Sequence, residues 1–157
     1  MDILLISNED MCRSRMAQEL LYSFGKGMKI TTSGIAEGSG VPSAVSTVMS
    51  QKGYEISRKK PTSVGAYENA HWDFVITLCQ EAKDELKYLK LNYDHVAHFQ
   101  IDDPLGDVSL DESEQEEQIA AVYEDMSRQL YEFYRDVVSE MLMPRCTCGA
   151  NTYCRCE

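Results

Sequence analysis

Residues 3–24 read ILLISNEDMCRSRMAQELLYSF. Ile3 to Ile6 is an apolar run of strand length, closed by the polar Asn8, Glu9 and Asp10, which is the pattern of a buried strand. From Met11 to Phe24 the residues Met16, Leu20, Leu21 and Phe24 recur at helical spacing with Ala17 beside them, and Gly25 follows as a stop. Between the two lie Ser7, Asn8, Glu9, Asp10, Met11, Cys12, Arg13 and Ser14. A short loop running straight into a helix directs several backbone N–H groups at one point, and the helix dipole adds partial positive charge there. Arg13 keeps its charge at all relevant pH and can grip an oxyanion with two parallel hydrogen bonds. The segment Ser7–Ser14 is therefore expected to cradle a tetrahedral oxyanion such as phosphate or arsenate. An ordinary strand-to-helix turn with a surface arginine accounts for the same residues, and the segment alone does not separate the two.

The pattern continues outward. Ile30 to Thr32 begins a second strand, broken at Ser33-Gly34. Pro42 starts a helix with Val45, Val48 and Met49 on one face, and Gly53 ends it. Ser57 to Ser63 reads as loop and Val64 to Ala70 as a short helix. Phe74 to Leu78, FVITL, is the clearest buried strand, and Glu81 to Leu86 follows as a helical turn. Val96 to Ile101 is expected to be the fourth strand, ended by Asp102-Asp103-Pro104. Asp107 to Glu117 reads as an acidic loop into a helix start, and Ile119 to Met143 as one long amphipathic helix stopped by Pro144. Alternating strands and helices predict an α/β fold: a four-stranded parallel sheet with helices on both faces. Ligands of such sheets sit at the carboxyl ends of the strands, where Ser7–Ser14, Cys79–Glu81 and Asp102–Leu105 fall. The expected division is a domain over residues 1–143 and a cysteine-rich tail over 144–157.

Bulk properties narrow the classes. With 157 residues the chain suits one domain with one core. A formal net charge of -11 repels nucleic acid and anionic membranes, so neither is expected as a partner. No apolar run approaches the roughly 20 residues that span a bilayer, and no signal-peptide pattern is evident, which reads as cytoplasmic. His71, His95 and His98 are scattered without acidic or cysteine neighbours at ligand spacing and read as structural or surface residues.

Several runs resemble the superfamily of low-molecular-weight protein tyrosine phosphatases and thioredoxin-coupled arsenate reductases. They are Cys12-Arg13-Ser14 with Met16-Ala17, Ser33-Gly34-Ile35, Val41-Pro42, Met49, Gly53, Ile56-Ser57, Trp72 to Cys79, and Asp102-Asp103-Pro104. The likeness spans about nine tenths of the chain and is nearest the arsenate reductase branch. It implies a first-strand loop of pattern Cys, five residues, Arg, and then Ser or Thr. Its thiolate attacks phosphorus or arsenic, and the Asp of an Asp-Pro pair protonates the leaving oxygen. On that pattern Arg13 binds the oxyanion, Asp103 is the proton donor, Ser14 hydrogen-bonds the nucleophile and Cys79 is the resolving thiol. The ligand is phosphate, arsenate or a phosphotyrosine substrate, thioredoxin is a candidate partner, and the core needs no cofactor.

Three departures limit the resemblance. Counting back from Arg13, the nucleophile position is Ser7, an alcohol with no histidine near it in sequence to act as base. Ser7 is either an engineered replacement that traps a ligand or the natural residue of a protein that only binds. Glu9 and Asp10 put two carboxylates into an anion loop, where the family usually has asparagine at position 10. They weaken binding unless they point outward or pair with a cation, for which Arg15 is a candidate. The relay of an arsenate reductase needs a third cysteine soon after Cys79, and Gln80 to Leu91 contains none. The expected function is thus an arsenate reductase-like, oxyanion-binding protein without turnover. The alternatives are a tyrosine phosphatase in trap form and a non-catalytic phosphoprotein- or metalloid-binding module. A phosphatase acting on tyrosyl groups would place aromatic residues round the loop, with Tyr54, Tyr67 and Tyr88 as candidates. In the tail, Cys146, Cys148, Cys154 and Cys156 form two Cys-x-Cys pairs that could hold Zn²⁺ or As(III), or supply the missing relay thiol.

Overall fold

Ile3, Leu4, Leu5 and Ile6 are all fully buried, with Ile3 and Leu5 on one face of a sheet and Leu4 and Ile6 on the other. A strand apolar on both faces belongs in the middle of a parallel sheet. The computed structural model, which describes residues 1–143, places it there. Strands β1 (Asp2–Glu9), β2 (Lys29–Ala36), β3 (His71–Thr77) and β4 (Asn92–His98) form one sheet in the order β2-β1-β3-β4, with every pair parallel. Cys146, Cys148, Cys154 and Cys156 lie outside the described residues.

The helices cover both faces, as the alternation predicts. Against Ile3 and Leu5 pack α1 (Arg13–Phe24) through Met16, Leu20 and Leu21, and α2 (Ser43–Gln51) through Val45, Val48 and Met49. The longer α4 (Glu112–Phe133) joins the same core through Ile119, Met126 and Leu130. A 3-10 turn (Val64–Tyr67) and α3 (Gln80–Leu86) close the other face, where Val64 and Ala82 meet Leu4, Ile6, Trp72 and Val75. No helix among the described residues is long and apolar enough to cross a membrane.

Helix ends follow local chemistry. Past α2, Gly53 takes φ +91, and the amides of Gly53 and Tyr54 return to Ser50 and Met49. This is a Schellman stop that a residue with a side chain adopts only with strain. Helix α4 begins at Glu112, earlier than the expected Ile119, because Asp111 and Glu114 form a reciprocal capping box. The helix is also not continuous to Met143. A π turn (Tyr134–Val138) intervenes before α5 (Ser139–Leu142), and this one-residue slip keeps Val138 in the same core as Leu130.

Three strand boundaries differ from expectation. Strand β2 runs through Ser33-Gly34, since both residues stay in register with Ile6 and Ser7. The fourth strand is Asn92–His98, not Val96–Ile101. It is an edge strand in which Asp94, His95 and Val96 are all exposed, so no apolar run marks it. The chain beyond it still follows β3, with Phe99 N–H donating to Thr77 and Ile101 N–H to Leu78, which carries Asp103 to the top of the sheet. Finally, β1 continues to Glu9, so Ser7, Asn8 and Glu9 belong to a strand. The strand order reverses between β1 and β3, the place where open parallel sheets leave a crevice.

Gly34 sets how closely β2 approaches the end of β1. A Cβ there would stand 2.6 Å from the Asp10 amide nitrogen and 3.0 Å from Glu9 Cα, both backbone atoms. Gly34→Ala is expected to cost about 2 kcal/mol by forcing backbone apart, lowering the melting temperature by roughly 4–8 °C. A thermal melt of the two proteins checks it.

Candidate functional site

The turn from β1 into α1 is built round a buried carboxylate. Asp10 is fully buried, and its side chain accepts from Ser14 Oγ at 2.8 Å, Arg15 Nε at 3.0 Å, Arg15 Nη2 at 2.8 Å and the Thr62 amide at 3.2 Å. Arg15, itself buried, donates onward to the carbonyls of Ser57, Lys59 and Lys60. Two buried charges are tolerable only when paired and hydrogen-bonded this fully. Asp10 therefore does not oppose an anion as a free charge, and Arg15 is its partner.

The same network redirects two residues of the expected cradle. Ser14 gives its hydroxyl proton to Asp10, not to position 7. Ser7 is completely buried in β1, opposite Gly34, and its hydroxyl donates to the Glu9 carbonyl at 3.0 Å. The expectation that amides from Ser7 onward converge on one point is not met for Ser7, Asn8 and Glu9. In an extended strand successive N–H groups point to opposite sides. No glycine interrupts Ser7–Ser14, and the chain turns only at Asp10-Met11, where the Met11 amide meets the Glu9 carbonyl at 2.6 Å.

What the fold does bring together is Arg13 and Asp103. Arg13 is the first residue of α1 and only 7% exposed. Its Nη1 donates to the Ile101 carbonyl at 3.0 Å, and its Nη2 lies 3.7 Å from Asp103 Oδ2. Asp103 is half-open to solvent, and its other oxygen accepts from the Leu105 amide, an Asx turn that orients it. These side chains line a recess of about 110 Å³ with Asn8, Glu9, Met11, Cys12 and Leu105. The recess sits at the head of α1, where the leading amides of a helix have no intrahelical acceptor. One buried cation and a helix N-terminus favour a small oxyanion there, against the acidic residues Glu9 and Asp103 that also line the recess. Ser7 does not line the recess, nor do Tyr54, Tyr67 or Tyr88. Tyr54 packs on Tyr123, Tyr67 on Trp72, and Tyr88 lies at the surface under Lys87.

Neither thiol of the described residues is prepared for attack. Cys12 is 4% exposed with its sulfur 3.5 Å from that of Met16. Burial pushes its thiol up to about 12, against the pull of Arg13 and with a small push from Asp103. Cys79, fully buried just before α3, is also raised by burial, which outweighs the Ala82 backbone hydrogen bond and the Arg13 charge. Ile101 and Thr62 escape sequence reading because they act through backbone atoms, which carry no residue signature, and Leu105, within the expected Asp102–Leu105 segment, likewise acts through its amide. His71 was expected to stand apart from acidic groups, yet its Nε2 lies 3.1 Å from Asp94 Oδ1, with Asp73 close by. Strand pairing brings these residues together at the opposite end of β3 and β4 from the recess.

A family model described as low molecular weight phosphotyrosine protein phosphatase matches residues 2–141. Among solved structures, a low molecular weight protein tyrosine phosphatase from Bacillus subtilis is 19% identical with a TM-score of 0.65, covering 88% of this chain and 99% of its own. An arsenate reductase from Archaeoglobus fulgidus is 20% identical with a TM-score of 0.59, covering 82% and 98%. The arginine phosphatase YwlE, known from Bacillus subtilis, is 19% identical with a TM-score of 0.60, covering 87% and 97%; its structure is of a Cys-to-Ser mutant with a phosphorylated active-site serine. These likenesses establish the fold. No curated protein matches the sequence.

Arg15→Ala would leave Asp10 buried without its cation and is expected to destabilise the protein by about 3–5 kcal/mol, read from denaturant midpoints. Alkylation by iodoacetamide at pH 8 followed by peptide mapping should find Cys12 and Cys79 unmodified in native protein and modified after unfolding.

Proposed function

The chain belongs to the low molecular weight phosphotyrosine protein phosphatase family, and on that premise we propose that it binds a phosphoryl group at Arg13 without turning it over. The observation that carries the reading is the meeting of Arg13 and Asp103 over one small recess at the head of α1, from positions ninety residues apart. Arg13 Nη2 grips the oxyanion while Nη1 stays on Ile101. Arsenate, with the same shape and charge, binds in phosphate's place.

Among the described residues no side chain is set up as a nucleophile, so the reading stops at binding. The Ser7 hydroxyl is buried and turned to the Glu9 carbonyl, with no base beside it to take its proton. Cys12 and Cys79 are held as neutral thiols by burial. Reduction of arsenate would need Cys79 as a thiolate, and burial holds it as a thiol, so the reading favours phosphoryl binding over the arsenate reductase branch. In YwlE a serine replacing cysteine is described as phosphorylated. Ser7, which does not line the recess, is expected to stay unmodified.

Calorimetric titration with inorganic phosphate and phosphotyrosine tests the proposal, alongside assays of para-nitrophenyl phosphate hydrolysis and thioredoxin-coupled arsenate reduction. Wild-type protein should bind and show no turnover. Arg13→Ala should weaken binding at least tenfold, the equivalent of about 1.4 kcal/mol. Asp103→Asn should tighten it by removing a carboxylate from the anion's side. Ser7→Cys should remain inactive. Turnover above the Arg13→Ala background, or phosphate affinity indifferent to that substitution, would sink the reading.

A further inference from the structure

The chain carries 26 acidic residues against 15 lysines and arginines, so an exposed cluster of cations is uncommon on its surface. Arg58, Lys59 and Lys60 are three in a row, all exposed, and among the described residues none of them is paired with a carboxylate. Their backbone is unusually well held for a loop. Arg15 takes the carbonyls of Ser57, Lys59 and Lys60, Asp10 takes the Thr62 amide, and the Thr62 carbonyl accepts from Gly34 in β2. With its carbonyls drawn inward, the loop presents its cations in a fixed place, and little ordering cost remains for a partner to meet.

Beneath Lys59 and Lys60 lies a recess of about 510 Å³ between this loop, α1 and β2, walled by Thr31, Thr32, Tyr22 and Tyr67. Hydroxyl-rich walls suit polar side chains more than an apolar anchor. The single carboxyl group in the lining is Glu19, which burial pushes up. Arg58 faces away, toward Tyr54 and Glu55. The loop adjoins the Arg13 recess through one turn. Asp10 holds the loop, and the next residue, Met11, lines that recess. Met11 and Pro61 also both close on Gly38. The two recesses thus lie on either side of one turn, where a single extended segment can meet both.

We propose that Lys59 and Lys60, over this larger recess, dock the acidic flank of a phosphorylated protein segment whose phosphoryl group sits at Arg13. The inference rests on phosphoryl binding at Arg13 and adds the partner's character. The net acidic character of the chain disfavours an acidic segment, and these lysines offset it along this edge. Because the contact is exposed, it weakens with salt.

Fluorescence anisotropy with two phosphotyrosine peptides, alike except for acidic or neutral flanks, tests it, with calorimetry on inorganic phosphate in parallel. The acidic-flanked peptide should bind about tenfold more tightly, with the advantage fading as salt rises. Lys59→Glu with Lys60→Glu should abolish that preference while leaving affinity for the neutral peptide and for inorganic phosphate within about twofold. Circular dichroism checks the fold of the variant. Equal affinity for both peptides, with phosphate still bound, overturns the docking inference and leaves the Arg13 site standing. An unphosphorylated acidic peptide binding as well as its phosphorylated form overturns it too. Failure of phosphate and of every peptide to bind overturns both readings.

Discussion

The ion pair between Asp10 and Arg15 is the constraint on which this end of the molecule is built. Its members are five residues apart and buried together, and between them they engage Ser14, Thr62 and three loop carbonyls. Removing two charges from water is costly, and the attraction between them offsets that cost only when every remaining donor and acceptor is satisfied. Here they are: no buried side-chain nitrogen or oxygen among the described residues lacks a partner. The pair is thus an all-or-none device. It fixes the turn after β1, the start of α1 and the course of residues 57–62 as one unit.

That unit explains why a site with family residues does not have the family's expected arrangement. A carboxylate at position 10 draws Ser14 and Arg15 inward, and without a glycine the backbone of Ser7 to Glu9 stays extended beside β2. Arg13 is left as the free cation of the turn, and the partner it finds is Asp103, delivered by the chain leaving β4. The recess that results is small, charged and open to solvent at Asp103. It suits holding an anion better than activating a nucleophile.

Much of this was legible in the sequence. The doubly buried strand Ile3–Ile6, the run Phe74–Thr77 and the periodic faces of α1, α2 and α4 are dense apolar signals, and each became an element of the expected kind. Arg13 and Asp103 were readable as a pair only through the family pattern, since their meeting depends on a crossover that local sequence does not encode. The fourth strand was misplaced because an edge strand with a wet face looks like loop. The start of α4 was missed because its capping residues lie in an acidic stretch that reads as solvated. The pairing of Asp10 with Arg15 was one of the outcomes the sequence offered, whereas the turn of Ser14 toward Asp10 was not readable, since a hydroxyl and a carboxylate at helical spacing are equally at home on a surface.

The hydrogen bond from Ser14 to Asp10 also bears on the history open to this chain. A hydroxyl has one proton to donate, and while Asp10 holds it no nucleophile at position 7 can be steadied by it. Neutralising Asp10 would free Ser14 but strand the Arg15 guanidinium in a dry interior. Changing Arg15 would loosen the loop that carries Lys59 and Lys60. A route from this turn to one with an uncommitted Ser14 hydroxyl therefore passes through substitutions whose order matters. Substitutions at positions 10, 14 and 15 are coupled in this way, and the effect of each depends on the residues at the other two.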